Sequence, residues 1–146
     1  MLAEILKPVA VLAAWSMAMW LWMYATRIPA MSRAKLVDGA TVGGTGADIR
    51  GRVPDAVQWK ADNYNHLMEQ PTVFYAVALL LAVAGAGDGL NATLAWAYVG
   101  LRIVHSVVQA TVNRVMVRFM IHSLGSLALI ALAVRALLLV FGEQRI

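Results

Sequence analysis

The sequence predicts an all-α membrane protein, a single four-transmembrane-helix bundle spanning residues 1–146, and three observations predict it. Hydrophobic residues make up 61% of the chain and charged residues 14%, with a mean hydropathy of +0.69. A soluble domain is nearer half apolar and a quarter charged. The excess is gathered into long uncharged runs, Val9–Thr26, Gln70–Gly87, Gly89–Leu101 and Phe119–Val134. The first two have the length of about 18 residues that a roughly 30 Å hydrocarbon core requires. Four short helices leave no room for a second domain. The chain has no cysteine, which excludes a disulfide frame, a thiolate metal site and a cysteine nucleophile. Its net charge of +4 is spread over loops that flank the apolar runs, so topology explains it better than a nucleic-acid partner does.

Taken in order, the first helix is expected over about residues 5–26. It carries Trp15, Trp20, Trp22 and Tyr24, with the aromatics near its end suited to a membrane interface. Ala25-Thr26-Arg27 offers no clear small-x-small cleavage site, so the run reads as a span and not as a leader. A loop over about residues 27–61 follows, with Arg27, Arg33, Lys35, Arg50, Arg52 and Lys60 against Asp38, Asp48 and Asp55. Its glycine-rich centre, Asp38–Gly51, lacks the Gly-Lys-Ser/Thr of a phosphate loop and is read as a surface connection. The second helix is expected over about 62–86. Asp62, His66 and Glu69 share one face of its first turns, and Pro71 should bend it just beyond Glu69. The third helix is expected over about 91–113 and the fourth over about 117–141, joined by a short basic turn with Arg114. Asn91-Ala92-Thr93 is formally a glycosylation sequon, close to the membrane and weak.

The third helix holds the least ordinary stretch. Arg102, His105, Ser106, Gln109 and Asn113 stand at offsets 0, 3, 4, 7 and 11, one stripe of a helix. An arginine in hydrocarbon costs roughly 2.5–3.5 kcal/mol even on the mildest insertion scale, so such a stripe lines a site or meets partners. Arg118, His122 and Ser126 form a second stripe at the start of the fourth helix. The basic residues place the first loop and third turn in the cytoplasm and both termini on the opposite side. The polar stripes of helices two, three and four then converge at the cytoplasmic end of the bundle. There an ion pair between Arg102 and Glu69 is expected. Polar residues also simply join helices, and arginines near helix ends snorkel. The combination of arginines, a carboxylate, histidines and amides at one depth suits a zwitterionic or anionic ligand. No histidine spacing of the HExxH kind is present, so no metal is expected.

These motifs resemble the MAPEG family, the membrane-associated proteins in eicosanoid and glutathione metabolism. The resemblance covers most of the chain. It is carried by Asn65, Glu69, Pro71, Phe74 and Tyr75 opening the second helix, by Arg102, His105 and Ser106, and by Asn113, Arg114 and Arg118. The stretches DNYNHLMEQPTVFY and LRIVHSVVQATVNRVMVRF look closest to an uncharacterised bacterial branch. The resemblance implies a homotrimer in a bacterial inner membrane. Glutathione is then the co-substrate, bound between neighbouring subunits, with Arg118 as the residue that stabilises its thiolate. It further implies glutathione-binding roles for Arg33 (or Arg27), Asn65, Glu69, Arg102, His105, Gln109, Arg114 and His122. The chain departs from the family at Gln109 and His122, where tyrosines are usual, and at Asp62, where Arg or His is usual. Two functions follow as expectations: a glutathione-dependent transferase or peroxidase acting on apolar electrophiles or lipid hydroperoxides, or a non-catalytic bundle binding a lipid headgroup or small anion. A proton-coupled carrier is disfavoured, because charges at one depth make no path across the membrane.

Overall fold

The computed structural model describes residues 2–142, and every described regular element is helical: α1 (Leu6–Arg33), α2 (Asp55–Leu67), α3 (Gln70–Val83), α4 (Leu90–Thr111) and α5 (Val115–Gly142). α2 and α3 are the two halves of the expected second span. Three stretches are long and apolar enough to cross a membrane: Leu6–Arg33, Asp55–Val83 and Val115–Gly142. α4 is as long as a span, but its polar stripe lowers its hydropathy. The core is apolar and continuous, with Leu12, Phe74, Leu81, Tyr98 and Leu132 fully buried. Phe74 and Tyr98 stack at 4.7 Å between ring centroids, tying α3 to α4.

Two boundaries differ from expectation. α1 continues to Arg33 and not to about residue 26, because a charge ends an apolar run without ending a helix. Arg27 stays helical and sends its guanidinium out to the Gly46 carbonyl at 2.8 Å, the snorkelling that a long basic side chain permits. α2 begins at Asp55 and not at Asp62. Its first turns are polar, so hydropathy is blind to them. Asp55 in the first turn is favoured by the unpaired N–H groups of a helix N-terminus.

The break between α2 and α3 falls at Met68–Glu69, just ahead of Pro71 and not beyond Glu69. Pro71 has no N–H for the Leu67 carbonyl and its ring crowds that carbonyl. The chain leaves helical geometry at Glu69 (φ −88°, ψ −99°) and resumes at Gln70. At the far end of α3, Gly85 takes φ +71° as the left-handed residue that closes a helix. Gly87 is needed for a different reason. A Cβ there would lie 2.6 Å from the Ala3 Cβ and 2.8 Å from Ile5, where the Ile5 N–H bonds the Gly87 carbonyl at 2.9 Å. The start of the chain is thereby pinned to the α3–α4 turn. Asn91 in the formal sequon is buried; its amide bonds the Ala86 carbonyl at 2.7 Å and its Oδ1 accepts from Arg135. It is a structural group.

Candidate functional site

The polar stripes do converge. α2 brings His66, α4 brings Arg102 and His105, and α5 brings His122 to one place in the bundle. Arg102 is 3% exposed and His105 4%. The His66 ring stacks on His105 at 4.9 Å and tilts against His122 at 5.1 Å. Arg102 sits among them: its Nη2 donates to the His66 carbonyl at 2.5 Å and faces the His66 Nδ1 at 2.6 Å. Its Nη1 faces the His122 Nδ1 at 3.4 Å. Beside this cluster, the Gln70 amide donates to Ser126 at 2.8 Å and the Tyr98 hydroxyl points at Gln70 at 3.4 Å. α3, α4 and α5 are thus locked next to it.

The expected Arg102–Glu69 ion pair does not form. Glu69 sits in the α2–α3 break with its side chain 68% exposed, and the His66 Nε2 lies 3.8 Å from its carboxylate. The break is the reason: it swings Glu69 outward and leaves the His66 carbonyl turned to Arg102. His66, which the sequence placed on the same face as Glu69, is therefore the site residue that the sequence reading left unassigned. The available signal was its position one turn ahead of Glu69.

The other expected residues divide into two groups. Gln109 is buried with its Oε1 unpartnered, and Arg118, at the start of α5, has a buried Nε without a partner. Arg33 and Arg114 are exposed, at the end of α1 and in the α4–α5 turn. Asn65 is exposed on α2 and lines a separate cavity of about 870 Å³ between α1, the first loop and α2, with Arg27 and Asp62. Those three are not drawn into the histidine cluster. Asn113 is not on the stripe either: α4 ends at Thr111, and Asn113 turns the chain with φ +51°. Ser106 has a structural partner, accepting from the Trp15 indole N–H at 3.0 Å.

Two features define what the arrangement can bind. Among the described residues, seven buried side-chain polar atoms lack a partner, and five of them belong to α4, the α4–α5 turn and the start of α5: Arg102 Nε, His105 Nδ1, Gln109 Oε1, Asn113 Oδ1 and Arg118 Nε. Each such group costs about 1–3 kcal/mol if left unmet. These groups are concentrated between α4 and the start of α5, and no protein atom there satisfies them. Donors from two arginines and acceptors from two amides fit a zwitterion. The space enclosed by Gln70, Tyr98, Arg102, His105 and His122, however, does not admit a water molecule. A ligand of peptide size does not fit in that space within one chain. The three imidazoles are of metal-ligating type, with one nitrogen from each within 4.8 Å of the others. Coming from three elements, they leave no spacing motif in the sequence.

Comparison with known proteins agrees with this picture at the level of the family. A model of the MAPEG family matches residues 5–138, nearly the whole chain. No curated protein and no solved structure gives a significant match.

Proposed function

The chain belongs to the MAPEG family and is an integral membrane protein, and from that premise we propose that it is a glutathione-dependent membrane transferase or peroxidase. The observation that carries the proposal is the set of unpartnered buried groups between Arg102 and Arg118. In this reading α4 is a fourth span, its polar stripe turned away from lipid, and the protein is a homotrimer. The first loop faces the cytoplasm of a bacterium, whose inner membrane holds the trimer with both termini outside. Glutathione reaches the site from the cytoplasmic side, and an apolar electrophile or lipid hydroperoxide arrives from the bilayer. Arg102, His105, Gln109 and His122 hold the peptide from α4 and α5. Glu69, exposed at the break, accepts from its ammonium group. Asn65 and Arg33, set apart from the cluster within one chain, act only where a neighbouring subunit brings them near.

Arg118 carries the chemistry. A thiol with a pKa of about 8.5 is only a few per cent ionised at neutral pH. Lowering that by two units requires about 2.7 kcal/mol of preferential thiolate stabilisation, within what one positioned guanidinium supplies in a site that excludes water. The thiolate sulfur then bonds to the electrophilic carbon as the leaving group departs with its electron pair. With a lipid hydroperoxide it takes the outer oxygen as the O–O bond breaks, releasing the alcohol. A second glutathione reduces the resulting sulfenic acid to disulfide and water. The chain contains no cysteine that would compete.

The test is a titration of detergent-solubilised protein with glutathione, followed near 240 nm. A thiolate band should grow with glutathione and vanish in Arg118→Ala. Protein that shows no glutathione binding yet retains anionic lipid through purification would instead support the second reading, a bundle binding a lipid headgroup or small anion through the same arginines.

A further inference from the structure

Three imidazoles from three helices around one centre would ordinarily suggest a divalent transition metal. The chain has put something else there. A guanidinium has five N–H donors and no acceptor, so a ring nitrogen within hydrogen-bond distance of it must offer a lone pair. The His66 Nδ1 at 2.6 Å and the His122 Nδ1 at 3.4 Å from Arg102 do this. Their protons are then on Nε2. A lone pair given to Arg102 is not available to a metal, and a buried guanidinium repels a dication at that range.

We propose that the His66 and His122 rings are acceptors that cage the Arg102 guanidinium, with the His105 ring as a wall, and that His66 is the positioning residue which sets where that guanidinium stands. His66 is singled out because it supplies two acceptors to the same Nη2, its ring nitrogen and its main-chain carbonyl. The carbonyl can reach Arg102 because the helix breaks ahead of Pro71. In an unbroken helix it would accept from the Gln70 N–H; beyond the break, the Glu69 N–H meets it only at 3.4 Å. Among the described residues no carboxylate is within ion-pair distance of Arg102. His105, stacked on His66, closes the side of the cage. The cation is thus held by neutral acceptors and keeps its charge undiminished for an anionic ligand. That last step rests on the glutathione reading; the cage does not.

Zinc titration of tag-free protein in detergent, by calorimetry, separates cage from metal centre. The wild type should take up no zinc at the histidines, whereas Arg102→Met or Arg102→Gln, checked for fold by circular dichroism, should gain one zinc per chain. His66→Ala in either background should abolish the gain. Zinc bound by the wild type and lost in His66→Ala would overturn the proposal. So would a folded Arg102 variant that gains none. A second readout addresses positioning. His66→Ala should weaken glutathione binding about tenfold, the loss expected when a charged donor is left without its acceptor. His66→Asn, whose Oδ1 can stand where Nδ1 stood, should restore it. An unchanged affinity in His66→Ala overturns the positioning role. A wild type that binds no glutathione defeats the function reading and leaves the zinc result to decide the cage.

Discussion

At the scale of residues, the site is governed by how a buried cation is kept. Arg102 has no carboxylate beside it, and its nearest acceptors belong to His66 and His122. Glu69 is exposed, so its charge is mostly screened by solvent and contributes little to stability. Glu69→Gln should therefore change stability by no more than about 0.5 kcal/mol, the range of an ordinary surface substitution. A thermal-shift measurement showing a loss several times larger would mean that an Arg102–Glu69 pair exists after all. The sequence made that pair look natural, because it displays charge and spacing but not the backbone break that separates the two. It displayed His66 equally well, and charge alone directed attention to Glu69. Trp15 shows the same limit: its spacing in α1 suggests lipid or packing, and nothing local reveals the bond to Ser106, 91 positions away in the chain.

At the scale of elements, Pro71 and the first loop make separate predictions. Pro71→Ala gives the Leu67 carbonyl a partner and removes the ring clash, so α2 and α3 can join into one helix. Helical ellipticity at 222 nm should rise while the glutathione-induced thiolate band weakens, because a rejoined helix withdraws the His66 carbonyl from Arg102. A rise with the band intact would show that the break has no part in the site. In the loop, the Thr41 hydroxyl and the Ala40 N–H hold the Asp38 carboxyl below its ordinary range, and the Thr45 N–H and hydroxyl do the same for Asp48. A folded-state value below the unfolded one means stabilisation that is present above the unfolded pKa and lost as pH falls through the folded one. Amide exchange at Ala40 and Thr45 should thus be protected evenly through neutral and mildly acidic pH, once the intrinsic pH dependence of exchange is removed. The protection should fail only below the ordinary aspartate range, about 3.9. Failure near neutrality would assign the order of the loop to other groups.

At the scale of the whole molecule, the bundle class and the meeting of three polar stripes were legible, because hydropathy and helical period are local properties of the chain. The α1 and α2 ends were not, since solvated helix carries no apolar signal. The separation of Arg33, Asn65 and Arg114 from the cluster was not legible either, being set by tertiary placement. That separation bears on assembly. Within one chain the histidine cluster has no room even for water, while α5 exposes Phe119, Met120, Leu124, Leu127 and Ile130, an apolar face suited to lipid or to another copy. If the proposed glutathione site is enclosed at all, a second subunit has to contribute to its cover, since one chain leaves no room for it among the histidines. In the proposed ring of three, Arg102 and Arg118 of one site stay in one chain, where the unpartnered groups between them lie, and the neighbouring chain supplies the cover. Arg102→Gln and Arg118→Ala chains, each expected to lose the thiolate band alone, should then fail to complement when co-assembled. Recovery of about a quarter of the wild-type band in confirmed mixed trimers, the yield of random one-to-one mixing when a site draws one arginine from each of two chains, would instead place the two arginines of a site on different subunits.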